Sequence, residues 1–177
     1  MAKAPVSDIL LFDVVGPLVV PFHNGDRGGK YIASRDGARF FDDNSELRRR
    51  RGCYVFGIRS GGGIIPWYVG KTISAFESEC FQSHKLVQYN EALQLGGIGT
   101  PVLFFVVHPP ARGPVSVWTI NDLESYLIQA AYKRNERLQN KTKRGVQYWG
   151  IPGANVPGRG RATNAAVSLG QSLGLSY

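Results

Sequence analysis

Two short runs rich in β-branched and aromatic residues, 53–58 and 64–69, flank the loop Ser60-Gly61-Gly62-Gly63. No other feature restricts the fold as much. A glycine turn this short between two strand-like runs makes them antiparallel neighbours. A lone two-stranded ribbon is marginal in water, so the rest of the chain must cover it. The apolar run 101–107 is too short for a helix and suits a central strand buried on both faces; it closes at His108-Pro109-Pro110. Residues 74–95 lack Gly and Pro, and Phe76, Cys80, Val87 and Glu91 fall near one stripe with Phe81 beside it, which predicts one helix ended by Gly96-Gly97. Thr119 and Asp122 resemble a capping box and open a second helix, running to about Gln139, whose packed face is Leu123, Tyr126, Leu127 and Ala130.

The flanks read differently. Residues 9–20 and 30–41 suggest strands or a hairpin around the turn-rich His23-Asn24-Gly25-Asp26-Arg27-Gly28-Gly29. The end of the chain, from Gly145 on, is rich in glycine, with helix expected only over 163–173. The expectation is an α/β (α+β) protein. A small central antiparallel sheet flanked by helices occupies 48–141, with an N-terminal β decoration over 1–47 and a basic Gly-rich C-terminal extension over 142–177. Trp67 and Trp118 are expected in the core.

Composition narrows the class. With 177 residues, 43% hydrophobic and 19% charged, the chain can bury the core of one domain, which excludes wholesale disorder. The longest apolar stretch, 9–22, is interrupted by Asp13, Gly16 and Pro17 and is too short to span a bilayer. Met1-Ala2-Lys3-Ala4 leads at once to Pro5 and Asp8 rather than to a signal-peptide pattern. Cys53 and Cys80 are too few for a disulfide framework or a zinc site. A cytoplasmic protein with reduced, buried thiols is expected.

Charge is placed unevenly. The net charge is +8, yet residues 1–46 hold five Lys/Arg against seven acids, so that segment carries −2 and the remainder +10. No acid follows Glu136, whereas Arg137, Lys141, Lys143, Arg144, Arg159 and Arg161 do. Together with the four arginines 48–51, this one-signed end is attracted to a polyanion, and nucleic acid is the leading partner. Tyr148-Trp149 lies among these cations, a mixture suited to backbone contact and base stacking, or to packing of the tail on the domain.

The hairpin carries Gly52-Cys53-Tyr54 on its first strand and Tyr68-Val69-Gly70-Lys71-Thr72 on its second. Two phenols can orient or deprotonate a water, and Lys71 adds a cation. Leu123-Glu124 near the start of the later helix supplies a carboxylate, a hard ligand of the kind magnesium takes in ones or twos with waters completing its shell. Glu124 is also an ordinary acid for the first turns of a helix. In this order the tripeptides, a helix, a buried strand, a helix with Glu124 and then Asn140 resemble the GIY-YIG nuclease family over roughly 51–141, with Cys53 and Val69 each replacing an isoleucine.

The resemblance implies a metal-dependent endonuclease that hydrolyses DNA phosphodiesters with one Mg²⁺ or Mn²⁺ ion. It assigns Tyr54 to the nucleophile and Glu124 to the metal, with Tyr68, Lys71 and His84 as further catalytic candidates. Arg59, Lys85, Asn140, Lys141, Lys143, Arg144, Arg159 and Arg161 are the candidate nucleic-acid contacts; Asn140 also suits a helix cap. One departure stands out: the family's helix arginine corresponds here to Glu79, an anion where the substrate is an anion. Lys71, Lys85, Arg59 or one of the arginines 48–51 are candidates to replace it. The alternative is a GIY-YIG-like module that binds nucleic acid without cutting it.

Overall fold

The computed structural model describes residues 10–25, 28–96, 98–109, 115–140, 149–155 and 162–175. The hairpin forms as its residues dictate: β5 (Gly52–Ser60) pairs antiparallel with β6 (Gly63–Thr72), Tyr54 opposite Gly70 and Phe56 opposite Tyr68. β7 (Thr100–Val107) lies on the other side of β5, and its residues 102–106 have no solvent exposure. The apolar run is therefore an inner strand, as its continuity requires.

The fourth strand comes from the N-terminal segment. β2 (Asp13–Val19) pairs antiparallel with β7, giving one antiparallel sheet of order β2-β7-β5-β6. Residues expected to decorate the core thus form an edge of its sheet. β1 (Leu10–Leu11) pairs with β8 (Trp149–Gly150), and β3 (His23–Asn24) with β4 (Lys30–Tyr31) across the expected turn. The strand expected to continue to Phe41 is instead α1 (Arg35–Asp43). Gly37, Phe40 and Phe41 fall at helical spacing and are all buried, so tertiary packing decides the pattern.

Two corrections concern helices. The helix expected over 74–95 is broken into α2 (Phe76–Glu79) and α3 (Ser83–Leu95), and the intervening residues shift its phase. Leu86, Tyr89, Ala92 and Leu93 face the core, while Val87 and Glu91 point outward. α4 (Val117–Arg134) is capped by Ser116, whose hydroxyl accepts from Thr119 N–H at 3.2 Å; Thr119 is inside the helix. Trp118 in its first turn is 86% exposed, not core, whereas Trp67 is buried as expected. α5 (Asn164–Leu173) forms where expected, with Thr163 as its cap.

Three layers result. On one face of the sheet, α4 and α5 bury Leu123, Leu127, Leu169 and Leu173 against Cys53, Val55, Val69, Phe104 and Val106. On the other, α1, α2 and α3 bury Phe40, Phe76, Leu86 and Tyr89 against Tyr54, Phe56, Tyr68, Leu103 and Phe105. β6 is an edge strand, and residues 135–140 shield it. Asn135 Nδ2 donates to Pro66 O at 2.8 Å, Gln139 N to Trp67 O at 3.0 Å, and Asn140 bonds both backbone groups of Val69. Among the described residues, no helix is long and apolar enough to cross a membrane.

Candidate functional site

Both glycines of the paired tripeptides have a steric reason. Gly52 has φ +136°, and a Cβ there would collide with the Val106 carbonyl. At Gly70 a Cβ would collide with the hydroxyl end of Tyr54, which lies across the glycine from its cross-strand position. The second glycine thus makes room for the first tyrosine. Once seated, Tyr54 has no exposure, and its hydroxyl has no hydrogen-bond partner among the described residues. Burial above all, then Tyr89, Cys80, Tyr68 and Glu79, pushes its ionisation well above the ordinary phenol range. The buried Tyr89 hydroxyl approaches it without meeting hydrogen-bond geometry.

Tyr68 differs. Its ring centroid is 6.2 Å from that of Tyr54, but its hydroxyl accepts a hydrogen bond from Lys85 Nζ at 2.6 Å. Lys85 also pairs with Glu79 at 3.3 Å and lies 5.1 Å from the Tyr68 ring centroid. Burial pulls the Lys85 ammonium down, but the Tyr68 hydrogen bond and the Glu79 charge more than offset it, so its ionisation is raised. The Glu79 carboxylate therefore carries its own counter-ion. His84 is exposed at the start of α3.

A second cluster lies on the opposite face. Lys71 Nζ is 2.6 Å from Glu124 Oε2, with the two side chains 27% and 13% exposed. Cys53, cross-strand from Lys71, donates weakly to Ile120 O at 3.5 Å. Its thiol is pushed well up, by burial first and by Glu124 next, with Lys71 opposing. Tyr68 and Lys71 are three residues apart on one strand, an odd spacing that sends their side chains to opposite faces. Of the five expected catalytic side chains, Tyr54 and Tyr68 lie on one side of the sheet and Lys71 and Glu124 on the other, while His84 is exposed on α3.

Other expected site residues have definite places. Asn140 spends its amide on the β6 edge and does not cap α4, which ends six residues earlier. Arg48 pairs with Asp42 and Glu77, and Arg50 donates to His108 O at 3.4 Å. Arg59 is exposed at the hairpin tip. Lys141, Lys143, Arg144, Arg159 and Arg161 lie outside the described residues, as does Tyr148. Tyr89, stacked on Phe56 with centroids 4.2 Å apart, completes the phenol cluster. The sequence signal for it is its helical phase with Leu86 and Leu93, which becomes visible once the helix is restarted at Ser83.

Glu124 is the carboxylate of the Lys71 cluster that a divalent cation would have to use. Among the described residues, no three His, Cys, Asp or Glu side chains come together. Glu124 offers a single carboxylate with one oxygen engaged by Lys71. The donor set suits an ion that keeps most of its waters, as magnesium does. No protein-family model matches the chain, and no curated protein and no solved structure matches it.

Proposed function

We propose that the protein is a GIY-YIG-like endonuclease acting on DNA phosphodiesters, with Tyr68 rather than Tyr54 as the working phenol and Lys85 in place of the missing helix arginine. The observation that carries this reading is the 2.6 Å contact between Lys85 Nζ and the Tyr68 hydroxyl. A fixed ammonium there stabilises negative charge developing on the phenol oxygen or on a phosphate oxygen brought to it. Tyr54, sealed and with only the buried Tyr89 hydroxyl near its own, serves as packing that positions Tyr68. Glu124, across the sheet from Tyr68, is the residue that would hold a Mg²⁺ or Mn²⁺ ion, which supplies positive charge to a phosphate when bound; one phosphate would contact both only around the edge strand β6. Lys71 neutralises that carboxylate meanwhile. The net charge of +10 carried by residues 47–177 supports attraction of the substrate.

The test is nicking of supercoiled plasmid with and without Mg²⁺. Tyr68→Phe is expected to lose about 100-fold or more, the usual scale of a positioned acid or base, and Glu124→Gln to lose all metal-dependent cutting while staying folded. Full activity in either variant rejects the assignment. A second reading, a module that binds nucleic acid without cutting, is favoured by the Lys71–Glu124 pair lying across the sheet from both phenols. It takes over if the chain shifts duplex DNA but nicks nothing with Mg²⁺ or Mn²⁺.

A further inference from the structure

At the other end of the hairpin, a cavity of about 460 Å³ opens between the Ser60–Gly63 turn, the end of α4 and α5. Arg59, Arg134, Ser60, Ser168 and Gln171 line it, together with the glycines of the turn. Its volume falls within the range of small-ligand sites. Its chemistry has one sign. Among the described residues, neither arginine is ion-paired and no carboxylate lines the cavity.

Arg134 is held in place rather than free to swing. Its Nε donates to Ser172 O at 3.2 Å, which satisfies a carbonyl at the negative end of α5 and leaves the terminal nitrogens of the guanidinium for another acceptor. Gly61 and Gly62 make no backbone hydrogen bond to described residues, and a Cβ at either would meet nothing within 4 Å. Two guanidinium groups, hydroxyls, the Gln171 amide and free backbone amides around an open turn form a donor-rich set whose charged members are all cationic. Anions with several oxygens in a fixed array, phosphate above all, match such forks.

We propose that this cavity is a phosphate-binding site, held by Arg59 and Arg134, that takes either a free phosphate monoester or a phosphodiester of a bound nucleic acid. It does not depend on cleavage, since it lies at the opposite end of β5 and β6 from Lys71. A nucleic-acid source is geometrically compatible. Arg134 and Glu124 are ten residues apart on α4, about 15 Å along the helix axis, which spans four to five base steps at about 3.4 Å each.

The experiment uses the full chain and two variants, Arg59→Gln and Ser168→Glu, the second placing an internal carboxylate in the cavity. Circular dichroism confirms that each is folded. AMP and adenosine are titrated by calorimetry, and a fluorescent 16-base-pair duplex by anisotropy at several salt concentrations. AMP binding without adenosine binding, weakened tenfold or more in both variants, establishes a monoester site. If AMP does not bind but duplex affinity falls threefold or more in both variants, and the slope of log K against log salt shrinks by about 0.9 per lost contact, the phosphate belongs to nucleic acid. Wild-type behaviour of both variants toward AMP and duplex alike, or no binding of either ligand by the parent chain, overturns the site.

Discussion

Replacing Tyr54 by Phe tests whether the tyrosine of the first tripeptide is a catalyst or a packing residue. Its ring is fully buried against Gly70, and its hydroxyl meets no acceptor or donor in hydrogen-bond geometry among the described residues. A buried hydroxyl left unpaired costs about 1–3 kcal/mol, and removing it recovers that penalty. The oxygen leaves a void on the order of 10 Å³, which at about 24 cal/mol per Å³ costs only about 0.2 kcal/mol. Because the neighbouring Tyr89 hydroxyl stays buried and loses its nearest polar group, the gain should fall at the low end, about 1 kcal/mol, raising the melting temperature by about 2–4 °C for a chain of this length. Urea unfolding should show a higher midpoint with an unchanged slope, and plasmid nicking should stay within about twofold of the parent. A loss of 1 kcal/mol or more would show that the hydroxyl is bonded in the folded state. Abolished nicking, with Tyr68→Phe still active, would return the catalytic role to Tyr54.

Two further outcomes follow from other sites. Glu79→Arg removes the counter-ion of Lys85 and sets a second cation against it, so nicking should fall severalfold; a rise of tenfold or more would mean that Lys85 does not replace the family arginine. Cys53, Cys80, Tyr54 and Tyr89 are all held protonated in the fold beyond their ordinary ranges, chiefly by burial. An unfolded chain releases these protons above about pH 9 for the thiols and about pH 10 for the phenols while the folded chain keeps them, so stability should fall with rising pH by up to about 1.4 kcal/mol per pH unit for each group. Lys85, whose ionisation is raised, acts in the same direction at higher pH. Urea midpoints that do not change between pH 8.5 and 11 would contradict this.

Glu124 and the tyrosines show where motif spacing stops short of geometry. Each was visible as a residue type in the right order, but order along the chain does not state which face of a sheet a side chain takes. The parity of β6 already forbids Tyr68 and Lys71 from sharing a face; which helix covers each face is a matter of tertiary packing alone. The Lys85 contact was equally hidden, because it depends on α3 restarting at Ser83 and so turning Lys85 toward Tyr68. Deleting the chain from Arg137 onward, a natural test of a basic tail, would remove Leu138, Ile151, Leu169 and Leu173, each at most 2% exposed. Neutralising Lys141, Lys143 and Arg144 is the better-posed test.

The sequence by itself determined the β5–β6 hairpin, the buried strand β7, the buried thiols and helix α5. The hairpin and β7 rest on local signals, a glycine turn between β-rich runs and an unbroken apolar run. Only the tertiary structure decided that 35–43 is helical, that β2 completes the sheet, that Trp118 stays in solvent and that residues 135–140 close the edge of β6. The reason is physical. Local signals specify the conformation of a few neighbouring residues, but a short apolar stretch such as Phe40-Phe41 is compatible with either period until the sheet supplies the surface that it must cover.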